Sequence, residues 1–215
     1  MARPGMNNFL TTDIYGITTE EFCRGRGNVE TARQLLAAGV RVIQYREKAK
    51  PGRRMFEECL AIRELCREAG ATFIVNDHVD LALLVGADGV HVGQDDLPPR
   101  EVRRLIGPDM VLGLSTHAPE QAHEAAALGV VDYIGIGPIF TTATKKDAAT
   151  PVGLDMVEYA AHALNLPFVP IGGIKEENVA EVFRRGAKIV CIVSDIIGAE
   201  DIPAKVRALR AAVTR

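Results

Sequence analysis

Asp88-Gly89-Val90-His91-Val92-Gly93-Gln94-Asp95-Asp96 reads as a short buried strand, 89–92, that enters a tight glycine turn and ends in two acids. An apolar run that delivers carboxylates at its C-terminal end is how a parallel α/β sheet presents chemistry. The same figure stands one unit earlier, where Thr72-Phe73-Ile74-Val75 runs into Asn76-Asp77. Asp77 and Asp96 are 19 positions apart, one strand-plus-helix unit. Neighbouring strands lie about 4.8 Å apart, so the two terminal carboxylates can hold one divalent cation between them.

The same rhythm extends in both directions. Upstream, a polar arm (1–12) precedes a strand at 13–18, a helix from Asn28 to Ala38, a strand at 40–44 and a helix at 53–69 with Met55, Cys59, Ile62 and Cys66 at helical spacing. Downstream, Pro98-Pro99 opens a helix that Gly107-Pro108 ends. Strands follow at 110–113, 132–136, 168–171 and 188–192, with helices between them and a last helix at 201–213. Eight strand–helix units without a linker specify a single-domain α/β fold, a (β/α)₈ TIM barrel spanning 1–215. A doubly wound open sheet is the structural alternative, and the count of eight with similar unit lengths argues against it.

In such a barrel the working residues belong to the loops after the strands. Reading those positions gives Gln44, Arg46 and Lys48 after strand two, Asn76 and Asp77 after three, Asp96 after four, and Ser115 and His117 after five. Thr142, Thr144, Lys145 and Lys146 follow strand six, Gly172 and Gly173 strand seven, and Val193 and Ser194 strand eight. Each has a bland alternative. Arg46 and Lys48 can be solvated charges, Asp77 a helix N-cap, Gly172-Gly173 a tight turn. His91 reads as a satisfied interior histidine, and His117 stays open between orienting Ser115 and lining the rim. Bare glycine backbone before a helix suits a phosphate ester. Arg46, Lys48 and Lys145 around two aspartates suit a Mg²⁺-diphosphate group. The loop 137–153 is long enough to be a lid.

Composition sets bounds on this reading. Of 215 residues, 47% are hydrophobic and 25% charged, an ordinary globular balance. The net charge of −3 argues against a broad nucleic-acid surface. No stretch has the length of a membrane span, and the N-terminus lacks a signal-peptide core, so cytoplasmic residence is the expectation. Cys23, Cys59, Cys66 and Cys191 include no CxxC pair and read as buried free thiols.

Six motifs in order carry a family resemblance: Gln44-Tyr45-Arg46-Glu47-Lys48, Asn76-Asp77, Gly93-Gln94-Asp95-Asp96, Gly113-Leu114-Ser115-Thr116-His117, Gly137-Pro138-Ile139-Phe140 with Thr142-Ala143-Thr144-Lys145, and Ile171-Gly172-Gly173-Ile174. Together they closely resemble the thiamine-phosphate synthase (pyrophosphorylase) family, over nearly the whole chain. The resemblance implies a Mg²⁺-assisted transferase that joins a hydroxymethylpyrimidine diphosphate to a thiazole phosphate, releasing pyrophosphate. It further implies that Gln44, Tyr45, Arg46, Glu47, Lys48, Asn76, Ser115 and Lys145 bind the pyrimidine diphosphate. Arg46, Lys48, Ser115 and Lys145 would serve catalysis. Asp77 and Asp96 would hold Mg²⁺, and Thr142, Ala143, Thr144, Gly173, Val193 and Ser194 would bind the thiazole phosphate. Phosphorylated small molecules are the implied partners, without nucleic acid or membrane; a homo-oligomer stays open. Tyr45, Thr141 and Ile189 depart from the family's usual leucine, proline and glycine.

Three rival readings have been weighed. A thiazole tautomerase-like relative needs no Mg²⁺-diphosphate site, yet Arg46, Lys48, Asn76, Asp77 and Asp96 are all present. A phosphate-ligand sensor would have no use for paired aspartates facing bases. A phosphosugar enzyme would show an acid–base pair, and none is evident.

Overall fold

The computed structural model describes residues 3–142, 144 and 150–214. A 3₁₀ turn (Pro4–Met6) and helix α1 (Asn7–Thr11) precede β1 (Ile14–Thr18). Then come α2 (Asn28–Ala37), β2 (Val42–Tyr45), α3 (Gly52–Glu68), β3 (Thr72–Asn76), α4 (Val79–Val85) and β4 (Gly89–Val92). The second half holds α5 (Pro99–Ile106), β5 (Val111–Thr116), α6 (Pro119–Leu128), β6 (Tyr133–Ile136), α7 (Gly153–Ala163) and β7 (Phe168–Pro170). It ends with α8 (Val179–Arg184), β8 (Val190–Cys191), the short α9 (Ser194–Ile197) and α10 (Ile202–Val213).

All eight strands are parallel, each beside its sequence neighbour, and β1 pairs with β8. A further parallel bridge, Ile171 to Cys191, joins the two ends of the sheet and closes the barrel. Nearly every strand residue is buried, because helices cover the outside and side chains fill the inside. Alternation sorts them. Ile43, Tyr45, Phe73, Val75, Val90, Val92, Leu112 and Leu114 face the helices. Tyr15, Ile17, Val42, Ile74, Val111, Tyr133, Val169 and Cys191 fill the interior.

Helix ends follow local chemistry. Pro99 opens α5, and Asp201 caps α10 by accepting from the Ala204 N–H at 2.8 Å. Gly86 ends α4 at φ 62°, a conformation that costs glycine least.

The N-terminal arm is not a bare polar segment. Met6 and Phe9 are buried against the interior side chains at the barrel base. The Phe9 ring lies 4.4 Å from that of Tyr133 and 5.7 Å from that of Tyr15. Asn8 Nδ2 donates to Gly70 O and Thr72 Oγ1, and Thr72 Oγ1 donates to Gly5 O at 2.7 Å. The polar residues tether the plug while Met6 and Phe9 fill it. Ile189 packs in this same base, buried among its apolar side chains. All four cysteines are buried and free.

Candidate active site

The C-terminal ends of the strands surround one cavity of about 450 Å³. Gln44, Arg46, Lys48, Asn76, Asp77, Asp96, Ser115, Thr142, Thr144, Gly173, Val193 and Ser194 all line it. They come from sites as far apart in the chain as β2 and β8, and barrel closure brings them together.

Asp77 and Asp96 face each other as their strand ends suggest. Asp77 holds φ 62°, one of two non-glycine residues with positive φ among the described residues. Its N–H donates to His91 O at 2.8 Å, which ties the loop after β3 to β4. Asp77 is not a helix cap, since His78 occupies the cap position of α4. Burial and the neighbouring Asp96 carboxylate raise the Asp77 pKa, although Lys48, ion-paired to it, pulls the other way. Asp96 is held below the usual range despite partial burial, because the Gly93 N–H donates to its Oδ2 at 2.6 Å and the Asp77 side chain and the Lys48 charge lie beside it. Two facing carboxylates competing for one proton are a fitting donor set for a divalent cation. No third His, Cys, Asp or Glu joins them among the described residues.

Tyr45 and Glu47 lie outside the cavity. Gln44 points inward, so Tyr45, one residue on, must point outward. Its hydroxyl donates to Glu58 Oε2 at 2.8 Å, and burial beside that carboxylate pushes its pKa far up. Glu47 Oε1 accepts from the Glu20 N–H at 2.6 Å and from Asn28 Nδ2 at 2.7 Å. Lys50, missed in the sequence, is the hub of this outer cluster. Its Nζ lies 2.8 Å from Glu58 Oε1, 2.9 Å from Glu20 Oε2 and 3.9 Å from Glu47 Oε1. The cluster fastens the loop that carries Arg46 and Lys48.

Ser115 is oriented by His91, not by His117. His91 Nε2 lies 2.9 Å from Ser115 Oγ, whereas the His117 ring bonds Gly137 O at 2.5 Å. His91, Tyr15 and Tyr133 all line the cavity floor. The signal that would have found them is parity: each is a polar residue on the inward face of an apolar strand. Burial keeps His91 neutral, its pKa pushed down to about 4.

On the far side, Gly173 sits at φ 66°, where an added Cβ would lie 2.6 Å from Thr141 O. Its peptide therefore stays bare toward the cavity. Gly172-Gly173 does not lead directly into a helix. A turn intervenes, fastened by Lys175 N–H to Asn178 Oδ1 at 2.8 Å and Asn178 Nδ2 to Gly173 O at 3.0 Å, before α8 begins. Thr144 Oγ1 lies 3.0 Å from Ser194 Oγ, joining the loop after β6 to the start of α9. Lys175 adds a cavity-lining cation not foreseen in the sequence. Ala143, Lys145 and Lys146, and with them much of the expected lid, lie outside the described residues.

Comparison with known proteins gives a consistent result. A sequence model described as thiamine monophosphate synthase matches residues 14–196. The thiamine-phosphate synthase of Pelotomaculum thermopropionicum is 61% identical over 213 residues, covering 99% of this chain and 97% of that protein. That of Caldicellulosiruptor saccharolyticus is 49% identical over 94% of this chain and 90% of its own length. The solved thiamine phosphate pyrophosphorylase from Pyrococcus furiosus superposes with a TM-score of 0.87 at 36% identity, covering 97% of this chain and 98% of that one.

Proposed function

The chain belongs to the thiamine monophosphate synthase family and is a transferase, and from that premise we propose that it joins 4-amino-2-methyl-5-hydroxymethylpyrimidine diphosphate to 4-methyl-5-(2-phosphoethyl)thiazole, giving thiamine phosphate and pyrophosphate. One observation carries the reading. A rim of two acids and two bases, Asp77, Asp96, Arg46 and Lys48, faces the bare peptide of Gly173 and the hydroxyls of Thr144 and Ser194 across a single cavity. Such a cavity suits two phosphorylated ligands with their reactive ends toward each other.

The C–O bond of the pyrimidine methylene breaks first, and its electron pair leaves with the diphosphate. The electron-rich aminopyrimidine carries the positive charge that remains, and the thiazole nitrogen lone pair then forms the C–N bond. No protein nucleophile or general base is needed. Arg46 forks onto two diphosphate oxygens, and Lys48 neutralises charge as a point cation. Ser115 and Asn76 donate to the same ligand, while Gln44 holds the base. Gly173, Val193 and Ser194 hold the thiazole phosphate, with Thr142 and Thr144 above it. Asp77 and Asp96 would hold Mg²⁺, which when bound neutralises charge on the departing diphosphate. The cavity lining as a whole is largely apolar, which disfavours water that would otherwise trap the cation.

Purified protein with both substrates should release thiamine phosphate and pyrophosphate in Mg²⁺ and stop in excess EDTA. Asp77→Asn should cost about two orders of magnitude in kcat without unfolding, because asparagine accepts the same backbone conformation. No product from folded protein would overturn the reading.

A further inference from the structure

Beneath the cavity five side chains form one continuous hydrogen-bonded line. Gln44 Nε2 donates to the Tyr15 hydroxyl at 2.8 Å, and Tyr15 Oη lies 2.9 Å from Tyr133 Oη. Tyr133 Oη lies 2.9 Å from His91 Nδ1, and His91 Nε2 lies 2.9 Å from Ser115 Oγ. The line visits β2, β1, β6, β4 and β5.

Space for it is reserved. Gly113 stands in register between His91 and Tyr133, and a Cβ there would collide with Tyr133 Cζ and His91 Nδ1. The two side chains thus reach each other across β5 only because residue 113 has no side chain. Phe9 supports both tyrosines from below.

Each tyrosine has one hydrogen, and so has a neutral imidazole. A hydroxyl oxygen can accept twice, but each buried hydrogen needs a partner, and only a line with every link running the same way leaves none unpaired. With Gln44 donating, Tyr15 donates to Tyr133 and Tyr133 to His91 Nδ1. His91 must then carry its hydrogen on Nε2 and give it to Ser115. The Ser115 hydrogen is left free to point into the cavity, and the Gln44 carbonyl oxygen is left as an acceptor at the other end.

We propose that this line is a one-way relay: Tyr15, Tyr133 and His91 are positioning residues that present Ser115 as a hydrogen donor to the anionic end of the substrate and Gln44 as an acceptor to its base. The substrate's chemistry rests on the function proposed above. An anion beside Ser115 favours this polarity, since the reverse would turn an oxygen lone pair toward phosphate.

Long-range ¹H–¹⁵N spectra of ¹⁵N-histidine-labelled protein read the tautomer directly, with His91→Asn assigning the signal. The expected result is Nε2–H in the wild type and a tautomer mixture in Tyr133→Phe; Nδ1–H in the wild type would overturn the relay. Kinetics give a second test. Tyr133→Phe should lower kcat/KM for the pyrimidine diphosphate about tenfold, yet change it less than about twofold when Ser115 is already alanine. An equal loss in both backgrounds would mean that Tyr133 acts only through folding. Tyr15→Phe, one link further back and equally conservative of shape, should repeat the pattern. If the protein makes no thiamine phosphate, the proposed reaction fails, and the tautomer alone decides the relay.

Discussion

Lys50→Met isolates the cluster that fastens the loop after β2. The Lys50 side chain is only 6% exposed and closes contacts of 2.8 to 2.9 Å with Glu58 and Glu20. Methionine conserves most of its length and removes only the charge. Glu58 and Glu47 would then stay largely buried, Glu58 keeping only the longer 3.5 Å contact to the exposed Arg54. Breaking a buried pair costs about 3–5 kcal/mol, and the lower figure applies because Glu20 is well exposed and can rehydrate. For a chain of this size about 3 kcal/mol lowers Tm by roughly 6–12 °C.

Acid and alkali test the cause. Burial raises the Glu58 carboxyl, but Lys50, Asn28 and Tyr45 bring it below its ordinary value. Its contribution is therefore present above the unfolded pKa of about 4.3 and lost as pH falls through the lower folded value. Burial lowers Lys50, but Glu58 and Glu20 bring it above its ordinary value. That contribution is present below about 10.4 and lost as pH rises through the higher folded value. The Tm gap between wild type and variant should be flat across neutral pH and close at both extremes. KM for the pyrimidine diphosphate should rise, since Arg46 and Lys48 ride on this loop. A variant that melts with the wild type at pH 7, with KM unchanged, would refute the reasoning.

Other perturbations address the base and the floor. Phe9→Ala should cost about 3 kcal/mol by emptying the plug beneath Tyr15 and Tyr133, while Leu10→Ala, at 68% exposure, should stay within about 0.5 kcal/mol; equal melting temperatures would remove the plug's role. Gly113→Ala should destabilise by about 1–3 kcal/mol and lower kcat, because the added methyl meets Tyr133 and His91. Gly52→Ala, which meets nothing within 4 Å, serves as its control in the same melt and assay.

Most of the strand-end chemistry could be read in advance because it is local. A strand, its glycine turn and the polar residue that follows are consecutive, so Asp77, Asp96 and Ser115 could be placed on the rim without knowing their neighbours. Tyr45 and Glu47 fall outside the cavity lining although they are contiguous with Gln44, Arg46 and Lys48, because a strand turns alternate residues to opposite sides. The plug is not legible in the sequence, because Met6 and Phe9 are too few to make a periodic signal in a short polar segment. His117 was considered for Ser115 from sequence proximity, yet His91, 24 residues away, is the one in hydrogen-bond reach.

Eightfold alternation of strand and helix, and with it the rim on which polar residues gather, is written along the chain, because both follow from backbone geometry repeated segment by segment. The tertiary structure alone decided which of those residues meet. Tyr15 and Tyr133 are 118 positions apart and bond across a barrel that closes only when β8 pairs with β1 and bridges to Ile171 after β7. Gly113 matters only because register sets it between His91 and Tyr133. Strand periodicity is a property of each segment, whereas register and closure are properties of how segments pair, and the relay beneath Ser115 exists only at that second level.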